Sequence, residues 1–154
     1  MEILELEREK DLSEFINLPY SLYSRDPLYV PPLKREMREQ FSSKNPFCNN
    51  ATVQFFVARK GGKTVGRIAS IINRRHIEFH GETAGFFGFF ESVNDPEVSH
   101  GMLTRVAEVL KDKGMTIMRG PMNFSTNEEC GFLIEGFHEP PMLMTPYNPP
   151  YYHD

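Results

Sequence analysis

The densest run of groups able to do chemistry is Arg119-Gly120-Pro121-Met122-Asn123-Phe124-Ser125-Thr126-Asn127-Glu128-Glu129-Cys130-Gly131. It follows Met115-Thr116-Ile117-Met118, which reads as a buried strand. Polar groups gathered past the end of a buried strand are where α/β proteins commonly place a site. Asn123, Ser125, Thr126, Asn127 and Glu128 can line a substrate pocket there. Amides and hydroxyls orient a substrate, and the acids, Glu129 included, can receive a cation. The competing reading is a capped turn, because Ser, Thr and Asn bond their own backbone. Cys130 has a thiol to offer, but no histidine lies near it in sequence, and a small packed residue is the plainer reading.

Two further clusters carry weaker signals. In His76-Ile77-Glu78-Phe79-His80 polar and apolar residues alternate. On a strand, His76, Glu78 and His80 would share a face that could hold a metal. The alternative is a polar outer face with Ile77 and Phe79 turned inward, and with no further ligands in sight no metal is assigned. Arg74-Arg75 could meet a phosphate or carboxylate, or sit in a solvated turn.

These groups need elements to position them. Ile3, Leu4 and Leu6 among acids suggest a first strand. Asp11 can cap a helix whose inner face is Leu12, Phe15, Ile16 and Leu22, with Glu14 three residues on and Pro19 expected to kink or divide it. Pro31-Pro32 opens a second helix, Leu33 to Phe41. After a polar loop from Ser42 to Asn50, Val53 to Ala58 is a strand, and Gly61-Gly62 turns it into another, Thr64 to Asn73. Ala84 to Phe90 is the next strand, in which Gly85 and Gly88 permit a bulge or a close backbone approach. Asp95-Pro96-Glu97 starts an amphipathic helix with Val98, Met102, Val106 and Leu110 on one face, ended by Gly114. Met115 to Met118 and Met142-Leu143-Met144 complete the strands. The order implies an α/β fold with a mixed, largely antiparallel sheet flanked by helices.

With 154 residues the chain is long enough for one domain with a real core. The 17 basic and 21 acidic residues give a net charge of -4, which disfavours nucleic acid as the main partner. No apolar run approaches the ~20 residues that span a bilayer, and the acidic, alternating N-terminus is unlike a signal peptide. No membrane role is therefore expected. The expected setting is the cytoplasm with Cys48 and Cys130 as free thiols, a Cys48–Cys130 bridge being the alternative.

The element order resembles the GNAT superfamily of acyl-CoA-dependent N-acyltransferases. Several stretches resemble, more closely, a bacterial group of uncharacterised GNAT-like proteins. They are Asp26-Pro27-Leu28-Tyr29-Val30-Pro31-Pro32-Leu33, Gly66-Arg67-Ile68-Ala69, Asn73-Arg74-Arg75-His76, Gly85-Phe86-Phe87-Gly88-Phe89-Phe90-Glu91, Gly120-Pro121-Met122-Asn123 with Ser125-Thr126-Asn127, and Pro146-Tyr147-Asn148-Pro149-Pro150-Tyr151-Tyr152. The resemblance implies transfer of an acyl group from acetyl-CoA or another acyl-CoA to a small-molecule amine. It implies Glu91 as base and Tyr152 (or Tyr151) as acid, with Gly88, Phe89, Phe90 and Ser92 along the cofactor. Without catalysis, Glu91 would be a solvated strand end and the tyrosines core packing.

Two departures shape the expectation. The resemblance places a glycine-rich phosphate cradle after the fourth strand, where this chain has Ser92-Val93-Asn94-Asp95-Pro96-Glu97-Val98-Ser99-His100-Gly101. Pro96 offers no N–H, and Asp95 and Glu97 would repel phosphate, so a working cradle is not expected. A GNAT domain also continues with a helix and a last strand, whereas this chain stops at Tyr151-Tyr152-His153-Asp154. The expectation is a single GNAT-like domain over 1–154, C-terminally incomplete, either part of a longer protein or completing its sheet in a homodimer. A non-catalytic module, binding through 123–131 and the Pro/Tyr-rich tail, is the alternative to an enzyme.

Overall fold

A computed structural model describes residues 1–8 and 12–153. Five strands form one sheet in chain order: β1 (Glu2–Leu6), β2 (Ala51–Lys60), β3 (Lys63–Asn73), β4 (Ala84–Ser92) and β5 (Ile117–Arg119). The first four pair antiparallel, and β5 joins β4 in parallel. The helices are α1 (Ser13–Leu22), α2 (Lys34–Phe41), α3 (Arg74–His80) and α4 (Pro96–Asp112). This is the mixed, largely antiparallel α/β architecture that the sequence implies.

Both faces of the sheet are covered. Successive strand residues point to opposite faces. Phe55 and Val57 of β2 join Phe15 of α1 and Phe41 of α2 on one side. Phe56 and Ala58 join Val98, Met102 and Val106 of α4 on the other. Burial on both faces is why β2 reads as an unbroken apolar run. The β2–β3 turn is made by Gly61 and Gly62, both at positive φ (58° and 76°), as a two-residue hairpin with the right twist demands.

Several expectations need correction. Helix α1 is not divided at Pro19 but runs through it. The expected cap, Asp11, lies outside the described residues. The 76–80 segment is helix, not strand. Asn73 caps α3 by accepting the Arg75 and His76 N–H groups, and Gly81 at φ 66° ends it, so local capping overrides the alternation. His76 and His80 then lie one turn apart with tilted rings, centroids 4.3 Å apart, while His76 Nε2 lies 2.9 Å from Glu82 Oε1. Glu82 also accepts from Arg119, which with His76 holds its carboxyl down at about 2.

The strand expected to be buried at 115–118 is observed as β5, with Ile117 and Met118 each 37% exposed. It lies at the edge of the sheet, and no described strand covers its far side. Met142-Leu143-Met144 forms no strand. The Thr145 N–H returns to the Met142 carbonyl (3.2 Å), closing a turn that leaves all three side chains in solvent. Both cysteines are free. Arg74 bonds the Asn49 carbonyl, so it braces a turn.

Candidate functional site

A bulge decides which way β4 presents its chemistry. Ala69 pairs with Gly88 and Arg67 with Glu91, so β4 holds one residue more than β3 between those pairs. Phe89 adopts φ 51° there. Before the bulge Ala84 and Phe86 face the α1 layer; Phe89 joins the same cluster after it. Strict alternation would have turned Glu91 toward α4. Instead it lies opposite Arg67, on the α1 side. The Phe89 N–H donates to Asn123 Oδ1 at 2.7 Å, so the Asn123 side chain occupies the donor at the bulge.

Glu91 is the hub of a buried polar cluster. Its Oε2 accepts from the Tyr23 hydroxyl (2.6 Å) and the Tyr152 hydroxyl (3.1 Å). Its Oε1 lies 3.7 Å from Arg67 Nη2. The Tyr152 hydroxyl also accepts the Ser92 N–H at 2.7 Å. Burial pushes the Glu91 carboxyl up, against the opposing pull of Arg67 and the two phenols. Burial, then the neighbouring Glu91 charge, pushes the Tyr23 and Tyr152 phenols up as well. The two phenols therefore hold their protons tightly and remain donors to Glu91.

Arg67 is anchored by an omission in α1. Pro19 has no N–H, so the Phe15 carbonyl four residues back lacks its helical donor. Arg67 Nη1 supplies that bond at 2.9 Å, and its guanidinium lies 5.0 Å from the Phe15 ring centroid. Its Nε is buried without a hydrogen-bond partner among the described residues. A cavity of about 60 Å³ opens over the cluster, with Arg67, Phe90, Glu91, Asn123, Glu129 and Tyr152 among its walls.

A pH prediction follows from Glu91. Its folded-state pKa is raised above the ordinary 4.5. The folded state thus binds the proton more strongly, and that contribution is fully present below about 4.5 and is lost as pH rises through the folded value. Wild type minus Glu91→Gln, followed by urea unfolding across pH, should show a difference that declines upward from about 4.5. A flat difference would contradict it.

The expected site residues separate in space. Glu91 and Tyr152 meet. Phe90 lines the cavity, its ring 5.3 Å from that of Tyr152 and 6.1 Å from that of Phe132. Ser92 uses its N–H on Tyr152 and its carbonyl on Tyr151. The room beside Gly88 is filled by the Met122 carbonyl, which an added Cβ would approach to 2.2 Å. Phe89 packs in the core and also borders the cavity. Asn123 reaches the cavity, with Glu129 at 3.1 Å from its Nδ2. Ser125, Thr126 and Asn127 do not line it. Ser125 and Asn127 make a capped turn, in which Ser125 accepts the Asn127 and Glu128 N–H groups. Glu128 accepts from Gln40 instead. Tyr23 and Arg67 were not singled out from the sequence as site residues. Arg67 had a signal, a lone charge inside an apolar strand, which must find a partner when buried.

The α4 N-terminus is closed. Asp95 Oδ1 accepts the Glu97 N–H (3.0 Å), and the Asp95 carbonyl accepts those of Val98 (2.9 Å) and Ser99 (3.3 Å). Lys60 Nζ bonds both Asp95 (2.8 Å) and Glu97 (2.7 Å). The first amides are spent and two carboxylates stand where a diphosphate would lie. The residues present therefore do not fit a CoA diphosphate in the position that the resemblance implies.

Comparison with known proteins bears on the fold. Among solved structures, a tandem GNAT protein from the clavulanic acid biosynthesis pathway superimposes with a TM-score of 0.54 at 15% identity, over 73% of this chain and 33% of that one. The fold is GNAT-like. No family model matches the chain. The GNAT-like chain is 40% identical over 144 residues to Protein YghO of Escherichia coli (strain K12), covering 94% of this chain and 37% of that protein. It is 35% identical over 153 residues to the bacterial ceramide synthase of Caulobacter vibrioides (strain NA1000 / CB15N), covering 98% and 40%. The chain thus spans about two-fifths of the length of these curated relatives. Among the described residues no helix is long and apolar enough to cross a membrane.

Proposed function

We propose that this GNAT-like chain belongs to an N-acyltransferase and handles its amine substrate, the acyl donor's diphosphate being held somewhere other than the α4 N-terminus. The observation that carries this is the contact of Glu91 with Tyr152, 3.1 Å apart beside a polar cavity. A carboxylate whose proton affinity is raised by burial suits the removal of a proton from an ammonium. Glu129 at the cavity wall supplies a second negative charge to attract that ammonium. In this reading Tyr152, hydrogen-bonded to Glu91 and to the Ser92 backbone, is the proton donor. Acyl-CoA as donor is part of the proposal, but no step of it is assigned to residues here. The relative named a ceramide synthase supports the reaction class, since a ceramide is an N-acylated amino alcohol.

A second reading is favoured by the closed helix end: a non-catalytic GNAT-like module. Calorimetric titration with octylamine separates the two. Saturable binding that Glu91→Gln weakens about tenfold, near 1.4 kcal/mol, supports amine handling. No heat and no thermal stabilisation would leave the non-catalytic module. Acetyl-CoA is titrated in parallel with amide chemical-shift mapping; micromolar binding with shifts at 97–99 would overturn the assignment of the α4 end, and binding with shifts elsewhere would locate the donor on another part of this chain. A homodimer is part of the proposal too, supported by the uncovered edge of β5, and sedimentation tests it.

A further inference from the structure

A larger cavity, of about 320 Å³, is lined by residues from the end of α1 and from 137–151, Tyr23 among them. Its size is that of about ten water volumes, at the lower end of ligand pockets. Tyr23, Tyr147, Asn148 and Tyr151 wall it, with Leu22, Phe137 and Pro149 as its apolar surfaces.

Nearly all its polar groups are already spent. The Tyr23 hydroxyl donates to Glu91 (2.6 Å) and the Tyr151 hydroxyl to the Ser92 carbonyl (2.8 Å). The Asn148 side chain accepts the Leu133 N–H (2.7 Å) and donates to the Leu133 and Pro149 carbonyls (3.3 and 3.1 Å). Asp26 is the one acid on the wall. One of its oxygens accepts the Leu28 N–H (2.9 Å), and the other accepts the Tyr147 hydroxyl. The exception is Arg25, whose guanidinium has no hydrogen bond or ion pair with any described residue. The wall thus carries one carboxylate, Asp26, with both oxygens already occupied, and one cation, Arg25, with its fork of donors unspent, so the group left free to take a ligand is one that binds anions.

We propose that this cavity binds a small amphiphilic anion, its carboxylate or phosphate on Arg25 and its apolar body against Leu22, Phe137 and Pro149. The site is distinct in its ligand group from the amine-handling cluster, although Tyr147 and Asn148 wall both cavities. Tyr23 joins the two physically, since it lines this cavity and its hydroxyl donates to Glu91.

The experiment is calorimetry with octanoate and octyl phosphate, octanol serving as the uncharged control, together with amide chemical-shift mapping. Either anion is expected to bind saturably, with amide shifts at Leu22, Arg25, Phe137 and Tyr151, which line this cavity and not the smaller one, and which anion binds more tightly identifies the head group. Octanol is expected to bind at least tenfold more weakly. Arg25→Gln should cost the anion at least tenfold, and Arg25→Lys should recover most of it. Arg25 is exposed, so these variants fold as the parent does. Equal binding of octanol, no effect of Arg25→Gln, or shifts elsewhere would overturn the proposal, as would no binding of either anion. Arg25→Gln is expected to leave octylamine binding unchanged, so failure of this site and failure of the amine-handling reading are told apart.

Discussion

Arg67→Met is expected to destabilise the chain by about 3–5 kcal/mol at neutral pH, the usual cost of removing one partner from a buried ion pair. Arg67 and Glu91 are only 7% and 9% exposed, so water does little to replace the lost cation. The substitution also strands the Phe15 carbonyl, which Pro19 cannot serve and Arg67 Nη1 does. That second loss gives the prediction an internal control. Pro19→Ala restores a backbone donor to Phe15, so it should gain about 1 kcal/mol more in the Arg67→Met background than in the parent. The Arg67→Met penalty should shrink in acid, where Glu91 becomes neutral. Urea unfolding of the four variants at two pH values measures all of this. A loss under about 1 kcal/mol, or one independent of pH, would mean that the guanidinium is not the counter-charge of Glu91.

Gly88→Ala should cost about 3 kcal/mol, at the upper end of overpacking effects. The added Cβ would lie 2.2 Å from the Met122 carbonyl oxygen and 2.9 Å from its carbon. Backbone cannot swing aside as a side chain can. Met122 is held by its own N–H on the Phe87 carbonyl (2.8 Å), and the adjoining Pro121 carbonyl by the Gly131 N–H (2.9 Å). Relief therefore requires the 121–131 segment to lift from β4, which would pull Asn123 Oδ1 off the Phe89 N–H. Faster hydrogen exchange at the Phe89 amide should accompany the loss of stability. Gly66→Ala makes the comparison, since its Cβ meets side chains only, the flexible Met102 methyl at 2.6 Å and Val98 Cγ1 at 2.9 Å, and a smaller loss of about 1–2 kcal/mol is expected. Equal losses at the two glycines would mean that the Met122 backbone yields easily.

Local signals account for most of the elements. Asp95 before Pro96 caps α4, and Val98, Met102, Val106 and Leu110 lie on its buried face. The Gly61-Gly62 turn joins β2 to β3. The same locality made the closed phosphate end legible, because a capping acid and a proline act within a few residues. Where two local signals conflicted, the stronger won: Asn73 and Gly81 close a helix over 76–80 despite its alternating pattern.

The candidate site was legible only in part. Glu91 and Tyr152 were named by resemblance, but their contact joins residues 61 apart in sequence, and no periodicity reports such a pairing. Tyr23 arrives from α1, 68 positions away from Glu91. The sequence by itself determined the elements, their apolar faces and the blocked start of α4, since each depends on neighbours within a turn or a strand. The tertiary structure alone decided that one extra residue at Phe89 turns Glu91 toward Arg67, and that a carbonyl left open by Pro19 anchors Arg67. Both depend on strand register and on contacts between distant segments, and a one-residue shift in register reverses the face on which every later side chain stands.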